Sequence, residues 1–282
     1  MKRQAGLIRY PGGKSKLLAE VTTRLGRMRR HVGPDAEYRE PFFGAGAVGL
    51  AFLGRNPPVG SAWLNDRDPA MSALWDSVIH ECESLGVLIE AFPEAVRLLD
   101  GCDYFRNYTG RLRGIVEPPH LRQYPPAFVC LMKIAVHQMS YSGLGTCAGG
   151  PMGERMSRYA PDHLLGKIGS SREILASVRL REGTCTCLDF ERLFEPGEAL
   201  FYLDPPYYGA GPRLYQFAFT PADHERLARA LRRETRPWLL SYDEHPAILG
   251  LYRGWSRIES VEVGYSINGP AKKSELLISN HN

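Results

Sequence analysis

The chain of 282 residues is long enough for one large α/β domain, or for such a domain with an insertion. With 44% hydrophobic and 23% charged residues it is neither disordered nor fibrous, and no apolar run approaches membrane-spanning length. A net charge of +4 is too small to name a partner, but nine basic side chains crowd into residues 1–30 against one acid, Glu20, which suits a polyanion or a solvated helix face equally.

Met1–Ala5 lacks the apolar core of a signal peptide, so a cytoplasmic protein is expected. Six scattered cysteines form no C-x-x-C pair, and no metal site is expected. Tyr10-Pro11-Gly12-Gly13-Lys14-Ser15 reads as a glycine turn opening a helix, with Leu17, Leu18, Val21, Leu25 and Met28 at helical spacing. A Walker motif would need glycine where Ile8 stands. What remains is a cationic helix start suited to a carboxylate or phosphate.

Tyr38 to Leu50 reads as strand, glycine turn and helix, with Gly44, Gly46 and Gly49 in G-x-G-x-x-G spacing. Downstream, Trp63-Leu64-Asn65-Asp66 places an acid at the end of a second strand, where it would take a ribose hydroxyl pair. The ligand is NAD or another adenosine-bearing cofactor. Glu40, just before the turn, would repel a pyrophosphate and suits the cationic S-adenosylmethionine.

Pro69 to about Glu90 predicts a helix introduced by Asp66-Arg67-Asp68. Phe105–Gly114 is aromatic and basic, and Ala127–Ser140 is an apolar helix opened by Pro125-Pro126. Tyr141–Gly153 is a glycine-rich loop, too polar and flexible for a core, with Arg155 and Arg158 behind it. From Arg122 to Arg181 eight basic residues, Lys133 among them, stand against three acids, so this loop suits a nucleic-acid groove on which it would fold, or is an ordinary surface loop.

From Val178 the α/β alternation returns. Val178–Arg181 and Thr184–Leu188 predict strand ending at Asp189-Phe190, which would point the Cys185 and Cys187 thiols to one face. Ala199-Leu200-Phe201 is a buried parallel strand running into Tyr202-Leu203-Asp204-Pro205-Pro206-Tyr207. Two prolines cannot donate to a ladder, so Asp204 sits at a strand's carboxyl end, where open α/β sheets bind ligands. Stacked on Tyr207, a flat heterocycle would donate its exocyclic amine to the Asp204 carboxylate and the Pro205 carbonyl. Phe219–Asp223 caps a further helix, Trp238–Asp243 is a strand with a polar tip, and Ile258–Val263 and Ser274–Ser279 are closing strands around a polar, basic loop, Gly264–Lys273.

Taken together, these pieces resemble the Dam-type DNA adenine methyltransferases. Tyr-Pro-Gly-Gly-Lys (10–14), Glu-Pro-Phe-Phe-Gly-Ala-Gly (40–46), Asn-Asp (65–66), Asp-Phe (189–190), Asp-Pro-Pro-Tyr (204–207), Leu-Leu-Ser-Tyr-Asp (239–243) and Lys-Lys-Ser-Glu-Leu-Leu-Ile (272–278) match in kind and order. The resemblance implies an α/β, Rossmann-like S-adenosylmethionine methyltransferase sheet with an inserted, mainly helical target-recognition region. Residues 1–68 and 179–282 would form the catalytic domain and residues 69–178 the DNA-binding insertion.

The same resemblance implies methyl transfer from S-adenosylmethionine to the exocyclic amino group of adenine in double-stranded DNA, after the base flips out. The catalytic set would be Asp204, Pro205, Pro206 and Tyr207. Cofactor contacts would come from Tyr10, Lys14, Glu40, Gly44, Gly46, Asp66, Asp189, Phe190 and Asp204. Arg155, Arg158, Lys272 and Lys273 would meet DNA. No membrane partner is expected, and a restriction endonuclease would be a partner at the genetic level only. Related tetrapeptides also serve cytosine amino groups, RNA adenines and glutamine amides, and a catalytically inactive DNA-binding relative is a further alternative.

Overall fold

Seven strands form one sheet in the computed structural model, which describes residues 6–10, 14, 16–55, 59–98, 101–140, 143–148, 159–209, 214–265 and 271–280. They are β1 (Glu37–Glu40), β2 (Ser61–Leu64), β3 (Arg179–Leu180), β4 (Ala199–Leu203), β5 (Trp238–Asp243), β6 (Arg257–Tyr265) and β7 (Ala271–Ser279). Their order is β3-β2-β1-β4-β5-β7-β6. The first five run parallel, and β7 lies antiparallel between β5 and β6.

All five residues of β4 are buried because both faces of the sheet are covered. Leu200 and Tyr202 pack into one core, and Ala199, Phe201 and Leu203 into the other. The first core is filled from α1 (Leu18–Val32), α2 (Ala47–Leu53), α3 (Pro69–His80), α4 (Cys82–Leu98), α5 (Gly101–Gly114), α6 (Pro126–Met139) and α7 (Pro161–Ala176). The second is filled from α8 (Pro221–Arg233) and α9 (Pro246–Tyr252). Helices α3–α7 occupy the crossover from β2 to β3 and share the first core with the sheet.

Local chemistry accounts for the boundaries. Asp68 caps α3, its side chain accepting from the Ala70 N–H, with Pro69 in the first turn. Thr220 and Asp223 form a reciprocal capping box on α8. The helix expected over Pro69–Glu90 breaks at Glu81, whose carboxylate accepts the Ala127 N–H of α6 at 2.9 Å.

Thr184–Leu188 is not a strand. One bridge joins Thr186 to Asn65, and the Asn65 side chain holds the rest, accepting from the Leu188 N–H and the Thr186 hydroxyl at 2.8 Å each. Backbone pairing with the end of β2 is confined to Thr186, and side-chain bonds hold Leu188; Cys185 is buried and Cys187 half-buried.

The glycine-rich loop is likewise not all surface. Gly145, Thr146 and Ala148 are buried. A Cβ on Gly145, whose φ is +58°, would lie 2.4 Å from the His137 ring, so glycine there permits close packing on α6. Tyr141, Ser142 and Gly149–Arg158 lie outside the described residues.

Pairing of β7 with β5 ends at Asp243–Glu275, whereas β6 and β7 stay paired out to Tyr265–Ala271. Four residues of β7 therefore overhang the carboxyl end of β5 as a two-stranded ribbon, roughly 14 Å long at about 3.4 Å per residue.

Candidate active site

A cavity of about 270 Å³ opens at the carboxyl ends of β1, β2 and β4. The order of the sheet reverses between β1 and β4, so this is its topological switch point. Glu40, Asp66 and Asp204 line the cavity, together with Tyr10, Lys14, Gly44, Asp68, Asp189 and Phe190.

The wall at β4 is built around Asp204. Its Oδ1 accepts from the Lys14 ammonium at 2.7 Å and the Ser241 hydroxyl at 2.9 Å. Ser241 faces Asp204 from β5 and also meets the Tyr202 hydroxyl at 2.9 Å. Asp204 Oδ2 receives no hydrogen bond from any described residue, and the side chain is 22% exposed. Burial raises the Asp204 carboxyl above its ordinary range, outweighing the pull of Lys14. Lys14 also donates to the Tyr207 hydroxyl at 2.6 Å. The expected helix-start cation is thus a buried side chain reaching across to β4, and α1 itself begins only at Leu18. Pro11–Gly13 and Ser15 lie outside the described residues. Pro206 lines the cavity; Pro205 and Tyr207 are not among its walls.

The wall at β1 is different. Glu40 is buried, and its carboxylate accepts from the Tyr38 hydroxyl at 2.7 Å. No described cation pairs with it. Burial drives its carboxyl well above the usual range, with the Tyr38 bond opposing and the Asp204 and Asp66 charges adding to the rise. The glycine turn explains why two small residues stand here. Gly46 has φ +74°, and a Cβ on it would lie 2.7 Å from the Trp75 ring. Gly44 donates its N–H to Asp66 Oδ2 at 2.8 Å, and Asp66 Oδ1 accepts from the Asp68 N–H at 2.9 Å. Burial, with Asp68 nearby, pushes Asp66 up to about 6.

Beyond Asp66 the cavity becomes aromatic. Phe190 packs against Phe42 and Phe219 with ring centroids 5.8 and 5.5 Å apart. Asp189 accepts from the Glu191 N–H and pairs with Arg226 at 3.0 Å, so part of its bonding capacity is already taken.

Residues 10–124 match the model of the D12 class N6 adenine-specific DNA methyltransferases. Over those 115 of its 282 residues the chain is similar to that family. It is an enzyme that methylates the exocyclic N6 amino group of adenine in DNA, on the Rossmann-like sheet described above. No curated protein matches the chain.

Several site residues of this methyltransferase escape sequence reasoning. Lys133, counted among the groove-facing basic residues, is instead buried on α6 and paired with Asp68. His137, one turn on, stacks on Tyr10 at 5.3 Å. Burial, aided by Lys133, pushes its imidazole down to about 3, so the neutral ring donates Nδ1–H toward the Gly143 and Arg9 carbonyls at 2.9 and 3.1 Å. A lysine and a histidine four apart in an otherwise apolar helix were the available signal. Arg24 is also committed, forming a two-pronged ion pair with Glu259 at 2.8 Å per bond. Tyr215 to Phe219 also line the cavity. Gln216 binds Thr146 and the last turn of α5, tying the inserted helices to the cavity rim. Of the expected DNA contacts, Arg155 and Arg158 lie outside the described residues, and Lys272 and Lys273 sit on the overhanging ribbon opposite Gly264 and Val263.

Proposed function

We propose that the cavity binds S-adenosylmethionine and that Asp204 receives the adenine amino group at its edge. The observation carrying this reading is the unequal state of two carboxylates on one cavity. Asp204 has its counter-charge built in, whereas Glu40 awaits a cation. S-adenosylmethionine, when bound, supplies a methyl group already activated by a positively charged sulfur. It suits Glu40, while Asp66 beside the glycine turn is placed to accept from a ribose, and Phe190 with Asp189 to take the adenine. Tyr10 forms a further wall. Gly44 lets the backbone come close to the ligand, whereas Gly46, expected as a cofactor contact, is not a wall of the cavity and serves the packing of Trp75.

Little acid–base chemistry is needed, because displacement at an activated methyl depends mainly on positioning. Lys14 and Ser241 fix Asp204 through Oδ1, which leaves Oδ2 to accept a hydrogen of the N6 amine and then its surplus proton. The rise in its carboxyl suits a group that holds a proton briefly before passing it to solvent. Pro205 and Pro206 stiffen the strand end, and the Pro205 carbonyl offers a second acceptor. The base cannot reach Asp204 from within a duplex, so it flips out and stacks on Tyr207. Asp204 and Pro206 line the cavity and Tyr207 does not, which supports a base site adjoining the cofactor at Asp204.

The insertion over 69–178 and the β6–β7 ribbon are the DNA-facing parts of this reading. The ribbon projects from the carboxyl end of the sheet, carries Lys272 and Lys273, and has the form of a two-stranded element that a major groove admits. Arg155 and Arg158 are assigned to phosphates, which position without reading sequence. The test is to incubate the protein with S-adenosylmethionine and unmethylated DNA, and to separate the nucleosides by mass spectrometry. N6-methyldeoxyadenosine is expected; methyl on the cytosine amino group would overturn the reading.

A further inference from the structure

Tyr207 is held by more than the strand that carries it. Its hydroxyl accepts from Lys14 at 2.6 Å and donates to Glu275 Oε2 at 3.0 Å. Glu275 lies on β7, only 5% exposed, and also stands 3.9 Å from the Lys14 ammonium. That ammonium is 4.7 Å from the centre of the Tyr207 ring, so the ring is fixed both at its tip and toward one face. Directly across the ladder from Glu275 is Asp243 of β5. Its carboxylate accepts the Tyr208 and Gly209 N–H groups at 3.1 Å each. One register pair therefore grips the turn twice, Glu275 by the tyrosine side chain and Asp243 by the main chain that follows.

A buried carboxylate next to a strand end is a costly way to build a core. An apolar residue at 275 would pack there without desolvating a charge, so the acid points to a task. We propose that Glu275 is a positioning residue for methyl transfer. It orients the Tyr207 ring through the phenol, so that the flipped base meets a fixed stacking surface beside Asp204. The inference rests on the assignment of Asp204 and Tyr207 to the transfer step. It makes Glu275 act through Tyr207, touching neither cofactor nor base.

The test is a double-mutant cycle between Glu275→Leu and Tyr207→Phe, read as single-turnover methyl transfer to DNA, with S-adenosylmethionine affinity measured by calorimetry. Glu275→Leu alone is expected to slow transfer about 10- to 100-fold, the cost of a misplaced reacting group, with cofactor affinity changed less than about twofold. In the Tyr207→Phe background the same substitution should add less than about threefold, because the bond it removes is already gone. Glu275→Gln, which keeps an acceptor for the phenol, should fall between wild type and Glu275→Leu, and it carries the test if the leucine variant does not fold. Equal slowing by Glu275→Leu in both backgrounds would overturn the proposal, as would unchanged transfer in both Glu275 variants. Asp204→Ala in the same assay separates the failures. If it is inactive while both Glu275 variants match wild type, this inference alone falls. If Asp204→Ala turns over normally, the assignment beneath it falls as well.

Discussion

Asp204 and Glu40 stand at the ends of neighbouring strands and face one cavity, yet they keep different company. Asp204 has an ammonium at 2.7 Å and a hydroxyl at 2.9 Å. Glu40, among the described residues, has the Tyr38 hydroxyl at 2.7 Å and no cation. On the proposed reading, the difference separates a group that the protein has neutralised for itself from one whose counter-charge would arrive with a ligand. A fixed, compensated acceptor suits chemistry, and an uncompensated carboxylate suits selective binding of a cation.

The largest expected effect is on rate. Asp204→Ala should slow methyl transfer by at least ~10²–10³-fold, the usual cost of removing a preorganised polar group from a reacting centre. A single-turnover rate within tenfold of wild type would remove Asp204 from the chemistry. The next concerns stability. Lys14→Met leaves Asp204 and Glu275 without their shared cation and should destabilise the free protein by about 3 kcal/mol, read from urea unfolding. Glu40→Gln removes a buried carboxyl that no described cation pairs with, so it should leave the stability of the free protein unchanged or raise it. Opposite signs for these two variants would break the comparison.

Glu40→Gln should instead appear in binding. Loss of a charge-assisted contact worth about 1.5–3 kcal/mol weakens affinity roughly 10- to 100-fold. Calorimetry should show that loss for S-adenosylmethionine and a much smaller one for its neutral product, S-adenosylhomocysteine. Equal losses for both would mean that Glu40 does not sense the sulfonium.

A smaller, pH-dependent effect belongs to Asp66. Its carboxyl sits near 6 in the free protein against an ordinary 3.8. Between those values the native state holds a proton that the unfolded chain has lost, so this group favours the folded form on the acid side of the window, and that contribution falls as pH rises through about 6. Ribose binding needs the ionised acceptor, so cofactor affinity should rise as pH passes from 5 to 7. Asp66→Asn should abolish that step. A wild-type affinity that is flat over this range would rule out the ribose assignment. Smallest of all, Lys272→Ala and Lys273→Ala should each reduce the salt dependence of DNA binding by about one unit of slope while leaving cofactor affinity alone. Unchanged slopes in both would take the ribbon out of the interface.

Much of the β1 and β4 walls was legible because their chemistry lies in short contiguous stretches. A glycine turn, acids and paired prolines mark the ends of these strands, and Glu40, Asp66 and Asp204 converge because parallel strands present their carboxyl ends together. The missed features are those that depend on long-range partners. Lys133 looked like part of a basic groove because charge counts do not report burial, and its partner Asp68 is 65 positions away. Glu275 stood inside a quoted motif without a role, since only the antiparallel insertion of β7 brings it to Tyr207. Thr184–Leu188 has the alternation of a strand, but its backbone pairs with the end of β2 only at Thr186, and the Asn65 side chain takes the Leu188 N–H and carbonyl.

The division of labour between the two carboxylates is tested most directly by measuring methyl transfer to deoxyadenosine in DNA over a full range of S-adenosylmethionine concentration, in Glu40→Gln and Asp204→Ala side by side. The account predicts that Glu40→Gln recovers to within a few-fold of the wild-type rate once the cofactor is saturating, while Asp204→Ala stays at least ~10²-fold slower at every concentration. Recovery of Asp204→Ala at saturation, or a Glu40→Gln rate that remains as low as that of Asp204→Ala, would contradict it.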